Sequence, residues 1–105
     1  MMRAMRLIIM FDLPSVTNKE MKYARKWHKF LAQNGFIMMT ESVYSRLVMN
    51  KSISEGLKKL VKANIPPKGA IQLLEVTEKQ FSSMDYLLGE IQNKIIDSIE
   101  RYVEL

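Results

Sequence analysis

An α+β domain, with helices laid on one face of a sheet, is the fold class that the sequence predicts. Three observations carry it. Five consecutive apolar residues, Leu7 to Phe11, stop at Asp12 and Pro14, as in a short strand buried on both faces. Two stretches with apolar residues at helical spacing, each opened by a capping signal, flank an extended segment. A further β-rich run, Ala70 to Thr77, closes the series. With 105 residues the chain has room for one such domain and little more.

The elements follow in order. Asp12 stands where the first strand leaves the sheet, and Pro14 lacks the N–H that the ladder needs. Thr17-Asn18-Lys19-Glu20 is a capping box and opens a helix. Met21, Ala24, His28 and Leu31 share one face of it, widened by Trp27 and Phe30, and Asn34-Gly35 closes it. Residues 36–49 are extended and too long for one strand, so a reversal near Thr40-Glu41-Ser42 is expected, although no Gly or Pro marks it. A second helix begins at Asn50-Lys51-Ser52, with Ser52 and Glu55 as its capping box. Ile53, Leu57, Leu60 and Val61 form its buried face, with Lys58, Lys59 and Lys62 pointing outward. Asn64-Ile65-Pro66-Pro67-Lys68-Gly69 ends it. Thr77-Glu78-Lys79-Gln80 is a third capping box and predicts a short helix over 78–84. Ile91, Ile95, Ile96 and Ile99 then fall at helical spacing, whereas residues 101–105 alternate like an edge strand.

Strand, helix, extended segment, helix, strand is the ferredoxin-like order β-α-β-β-α-β when the middle segment is a hairpin. Two helices on one face leave the other face of the sheet bare. A second copy is the expected remedy, with the tail as the other means of cover.

Composition removes several function classes. There is no cysteine, which excludes disulfides and thiolate metal sites and makes a reducing cytoplasm the natural compartment. The longest apolar run is far short of the ~20 residues that span a bilayer, and the N-terminus lacks the apolar core of a secretory signal. A lone histidine, His28, on the apolar side of the first helix reads as structural, and four scattered glycines make no phosphate loop. Net charge is +5 but is unevenly spread. Residues 1–77 hold 13 Lys/Arg against 5 Asp/Glu, a net of +8, and residues 78–105 hold 3 against 6, a net of −3. Such asymmetry suits a polyanion-facing body with an acidic tail, and equally a basic face docked on an acidic protein.

Two candidate sites stand out. Asp12, at the carboxyl end of a strand where open α/β sheets bind ligands, is either a site residue or a turn-former. Lys19, Lys22, Arg25, Lys26 and Lys29 line the polar side of the first helix. They form either a solvated face or a stripe that tracks a nucleic-acid backbone, and few acids sit one helical turn away to neutralise them. Tyr44 could serve a site, but a strand tyrosine is more often packed or paired.

Phe11-Asp12-Leu13-Pro14 at the strand end resembles the start of the CRISPR-associated protein 2 family, the smaller of the two spacer-acquisition proteins. Gly35-Phe36-Ile37-Met38 and Ser42-Val43-Tyr44-Ser45 resemble the family's second block. Lys62-Ala63-Asn64, Pro67-Lys68-Gly69 and Val76-Thr77-Glu78-Lys79-Gln80-Phe81 resemble the branch found beside type II systems. The likeness runs from about Met5 to Leu88. It implies a ferredoxin-like homodimer with an additional C-terminal strand, residues 100–105, that adds to the partner's sheet. Residues 78–105 would then be a dimerisation and partner-binding tail. It further implies that Asp12 of each subunit faces its twin across the dimer axis and holds a divalent metal, magnesium, as the catalytic ligand of any nuclease. Two departures weigh against nucleolysis: Phe11 stands where many members have tyrosine, and Met38-Met39 where the family often has arginine. The expected function is CRISPR adaptation in antiviral defence. A homodimeric scaffold bridges dimers of the larger integrase and binds duplex protospacer DNA through Lys19, Lys22, Arg25, Lys26 and Lys29. The alternatives are a magnesium-dependent endonuclease on single-stranded RNA or duplex DNA, and a dimerisation module without nucleic acid.

Overall fold

A computed structural model describes residues 4–89. In chain order these form β1 (Met5–Asp12), α1 (Asn18–Gln33), β2 (Ile37–Thr40), β3 (Val43–Val48), α2 (Lys51–Ala63), β4 (Ala70–Thr77) and α3 (Glu78–Ser82). The four strands make one antiparallel sheet in the order β2-β3-β1-β4. This is the ferredoxin-like arrangement, with the apolar strand β1 in an interior position. Both the helical periodicity of residues 91–99 and the strand expected over 100–105 lie outside the described residues.

Alternation along β1 assigns its side chains to two layers. Leu7 and Ile9 face the helices and join Trp27 and Leu31 of α1, Leu57 and Val61 of α2, and Phe36, Tyr44 and Val48 in the main core. Ile8 faces the other way, with Met39 and Phe81, and Met10, Ile37, Val43 and Val76 pack around them. The second face is therefore not bare along its whole length: Phe81, on α3, covers part of it. Leu74 on β4 stays half exposed there, at 50%.

The reversal at Glu41-Ser42 is real, and a bulge replaces the missing glycine. Met38 pairs with Tyr44 and Thr40 with Val43, so Met39 is the extra residue. A bulge supplies the added twist that a two-residue turn without positive φ fails to give. The Thr40 hydroxyl accepts the Ser42 N–H at 3.3 Å.

Thr17 caps α1 as expected, and Thr77 with Gln80 caps α3. For α2 the expectation needs correcting. Asn50, not Ser52, is the cap: its backbone is extended and its Oδ1 accepts the Ile53 N–H at 2.8 Å. The buried row is Ser54, Leu57 and Val61, while Ile53 and Leu60 are exposed at 42% and 40%. Glu75 on β4 is the reason. Ser54 Oγ donates to it at 2.5 Å and Lys58 Nζ, expected to point outward, at 2.9 Å. These bonds turn the 54–58–61 row of the helix onto the sheet.

The same bonds set a pH dependence. The Glu75 carboxyl lies below its ordinary 4.5 because the Ser54 hydroxyl, then Lys58, favour the charged form. A depressed carboxyl stabilises the fold fully above the unfolded value, and loses that contribution as pH falls through the folded one. The melting gap between wild type and Ser54→Ala is therefore expected to be full at pH 7 and to shrink once the pH drops below 4.5. A gap of constant size from pH 7 to pH 3 would assign Ser54 a packing role alone.

Candidate functional site

Phe11 and Asp12 end β1, and alternation sends them to opposite sides. Phe11 turns to the helix layer. Its ring lies 6.0 Å from Tyr44, stacked, 5.9 Å from Trp27, edge-on, and 5.4 Å from His28. Asp12 keeps the register of the second face, is exposed, and accepts no side-chain hydrogen bond from any described residue. The aromatic anchor thus holds the strand end while leaving the carboxylate open.

Two more contacts fix Asp12. The Phe11 N–H donates to Ser42 O at 3.0 Å, and Asp12 pairs with Ala70 across the β1–β4 ladder. Gly69 closes in beside it with φ +108, a left-handed value that favours glycine. A Cβ there would meet Asp12 O at 2.6 Å and Leu13 Cδ2 at 2.8 Å. Gly69→Ala is therefore expected to destabilise the protein by about 2–3 kcal/mol, from backbone strain and clash together. Denaturant titration measures this, and a loss under about 0.5 kcal/mol, the scale of a neutral surface change, would show that the turn yields freely. Gly69 was legible only as a helix terminator. Its role beside Asp12 depends on a close approach between distant segments, which no local pattern encodes.

Tyr44 and His28 form a closed pair. His28 Nδ1 lies 2.7 Å from the Tyr44 hydroxyl, and burial raises the Tyr44 phenol above its ordinary value. His28 is a structural histidine, as its place on the apolar side of α1 implies. Tyr44 is both packed and paired. Because the pair sits in the helix layer, it does not join Asp12. The hydroxyl that Phe11 lacks would belong to this layer too, not to the carboxylate's side.

Lys19, Lys22, Arg25, Lys26 and Lys29 are all exposed on α1, and none forms an ion pair among the described residues. At 1.5 Å per residue they span roughly 15 Å. The nearest acid in sequence, Glu20, is committed to the cap. It accepts the Val16 and Thr17 N–H groups at 3.1 and 3.0 Å, and the Thr17 backbone bond is the main cause of its lowered pKa. Its charge answers the helix N-terminus and leaves the cations uncompensated. The stripe lies on the helix layer and Asp12 in the register of the opposite face, so one chain does not merge them into a single site.

No group of three or more His, Cys, Asp or Glu side chains that could hold a metal occurs among the described residues. Asp12 alone is a hard oxygen donor with both lone-pair sets open. That suits magnesium, which takes one or two carboxylates and fills its shell with water and phosphate oxygens. At this strand end the described residues supply that one carboxylate.

Sequence patterns do not show the ion pair between buried Arg6 and half-buried Glu78. Arg6, 1% exposed, bonds Glu78 through Nε at 3.1 Å and Nη2 at 2.8 Å, with its guanidinium 4.3 Å from the Phe81 ring centre. The Glu78 N–H also donates to Ala4 O at 3.0 Å. Together these seat α3 on the second face. The local signal is Arg6 itself, which abuts an apolar run where only a paired arginine is buried.

Fold and surface together define a small ferredoxin-like domain that presents charge on open faces, with one solvent-facing carboxylate at a strand end and a cationic helix. The chain belongs to the family described as CRISPR associated protein Cas2, whose profile matches residues 5–84. It is 50% identical over 101 residues to the CRISPR-associated endoribonuclease Cas2 of Streptococcus mutans serotype c, covering 96% of this chain and 93% of that protein. Proteins of the same name from Ligilactobacillus salivarius and Treponema denticola are 44% and 39% identical, over 96% of this chain and 100% of theirs. No helix among the described residues is long and apolar enough to cross a membrane.

Proposed function

We propose that this chain acts in CRISPR adaptation as a homodimeric scaffold that holds duplex protospacer DNA and bridges dimers of the larger integrase. The observation that carries the reading is the row of five exposed cations on α1 that form no ion pair among the described residues. Unpaired cations along one helix favour a linear polyanion, because each neutralised phosphate releases condensed counterions. The half-exposed Leu74 and partly covered Met10 on the second face supply apolar surface for a second copy.

A second reading, a magnesium-dependent endonuclease on single-stranded RNA or duplex DNA, is favoured by the endoribonuclease names of the relatives and by the open Asp12. Two Asp12 carboxylates, one from each copy, would hold the ion, which when bound neutralises charge at a scissile phosphate. Phe11 contributes no hydroxyl to that work.

The test is spacer acquisition reconstituted with the larger integrase, scored beside the oligomeric state and the DNA affinity of the purified chain. A dimer that binds duplex DNA and supports acquisition is the expected result. A monomer at high micromolar concentration, or a dimer that ignores DNA with the integrase present, overturns it.

A further inference from the structure

Beside the cationic stripe, α1 and the connection after α2 enclose a groove that a duplex backbone would not fill. Two adjoining hollows of about 290 and 250 Å³ share Tyr23, Pro66 and Pro67. Phe30 and the buried Trp27 continue the lining, their rings stacked 21° apart with centroids at 5.7 Å. Lys19, Lys26 and Lys68 stand around the rim. Glu20 is the one acid among the groove's lining residues; its Oε1 accepts the Val16 and Thr17 N–H groups of the cap, and Lys68 stands close enough to help hold its charge.

We infer that this groove takes an unpaired nucleotide, its base laid against Tyr23, Pro66 and Pro67 and its phosphates on Lys19, Lys26 and Lys68. The inference rests on the DNA-binding reading above and gives the same helix a second, strand-specific contact. Three features select this occupant. The floor is built from flat apolar faces, and a base of any sequence stacks on such faces. Three lysines stand against the single capped Glu20, so the rim is net cationic and suits a phosphodiester better than an amine. Two of the rim lysines also belong to the stripe, so a duplex lying on α1 delivers a frayed or single-stranded end into the groove without a second set of counter-charges. An acidic peptide would share the charge match. An extended peptide, however, also needs backbone hydrogen-bond partners, and Pro66 and Pro67 have no N–H to offer.

The test compares three fluorescent DNA probes on the full chain: a blunt duplex, the same duplex with a single-stranded extension, and the extension alone. Wild type is expected to prefer the extended duplex to the blunt one. Tyr23→Ala should lose that preference, with about a tenfold fall in affinity for the extended duplex, and bind blunt duplex as before. Tyr23→Phe should keep it, because the ring is retained. A 5-iodouracil placed in the extension should crosslink to the peptide containing Tyr23, a readout that does not depend on how well a variant folds. Wild type that binds both duplexes equally, with no crosslink, overturns the groove and leaves the duplex reading standing. Failure to bind any of the probes overturns both. Crosslinking abolished by the integrase in the presence of the extended duplex would give the groove to a protein segment and also overturn the proposal.

Discussion

Replacing Lys22, Arg25 and Lys29 together by glutamate is expected to cut duplex affinity by about a hundredfold or more at moderate salt and to flatten its salt dependence. The slope of log K against log salt is about −0.9 per neutralised phosphate, so three lost contacts remove roughly 2.7 from it for each protomer. The three residues are exposed and hold no ion pair among the described residues. Their replacement should leave the fold within about 0.5 kcal/mol per site. New glutamates one turn from Lys19 and Lys26 would even add weak helix pairs. A fall in affinity therefore reports the interface, not unfolding. Should the slope stay as in wild type, the stripe is only a solvated face, and whatever DNA binding exists lies elsewhere on the chain.

What could be read before the structure, and what could not, divides along a physical line. The three helices and the strands β1 and β4 announce themselves because each signal is local: a capping signal, a 3.6-residue period, an apolar run. Residues 36–49 read as extended with a reversal near Thr40-Glu41-Ser42, but nothing local marks that joint, since the bulge at Met39 that makes it work is a property of the paired strands. The rotation of α2 was misread for the same reason. Ile53 and Leu60 satisfy the helical period, but Ser54 and Lys58 reach a carboxylate on β4, and a tertiary bond outweighs a periodicity. Arg6 shows the converse, a charge beside an apolar run that Glu78 and Phe81 hold in the second face. The site residues were legible as residues: Asp12 at the strand end and five cations on one helix face. Their relation was not. That Phe11 points away from Asp12, and that the stripe and the carboxylate occupy opposite layers, follows from which neighbours each strand acquires.

That separation shapes the expected result for Asp12→Ala. The side chain is exposed and takes no hydrogen bond from the described residues, so its loss should change stability by no more than about 0.5 kcal/mol. Phe11, Ser42 and Gly69 hold the strand end through ring packing and backbone contacts that the substitution does not touch. Any phenotype is then chemical. For a scaffold, whose working surface is the helix layer, acquisition with the larger integrase is expected to stay within about twofold of wild type, a free-energy change near 0.4 kcal/mol. Duplex affinity should rise slightly, because removing an acid takes one repulsive charge from a polyanion's surroundings. Metal-dependent cleavage, wherever wild type displays it, should fall to background in the same preparation, and chelation of magnesium should reproduce that loss without weakening DNA binding. Loss of acquisition and cleavage together, with duplex affinity retained, would instead make the strand-end carboxylate the working group. The lysine-rich helix would then serve only to bring substrate to it.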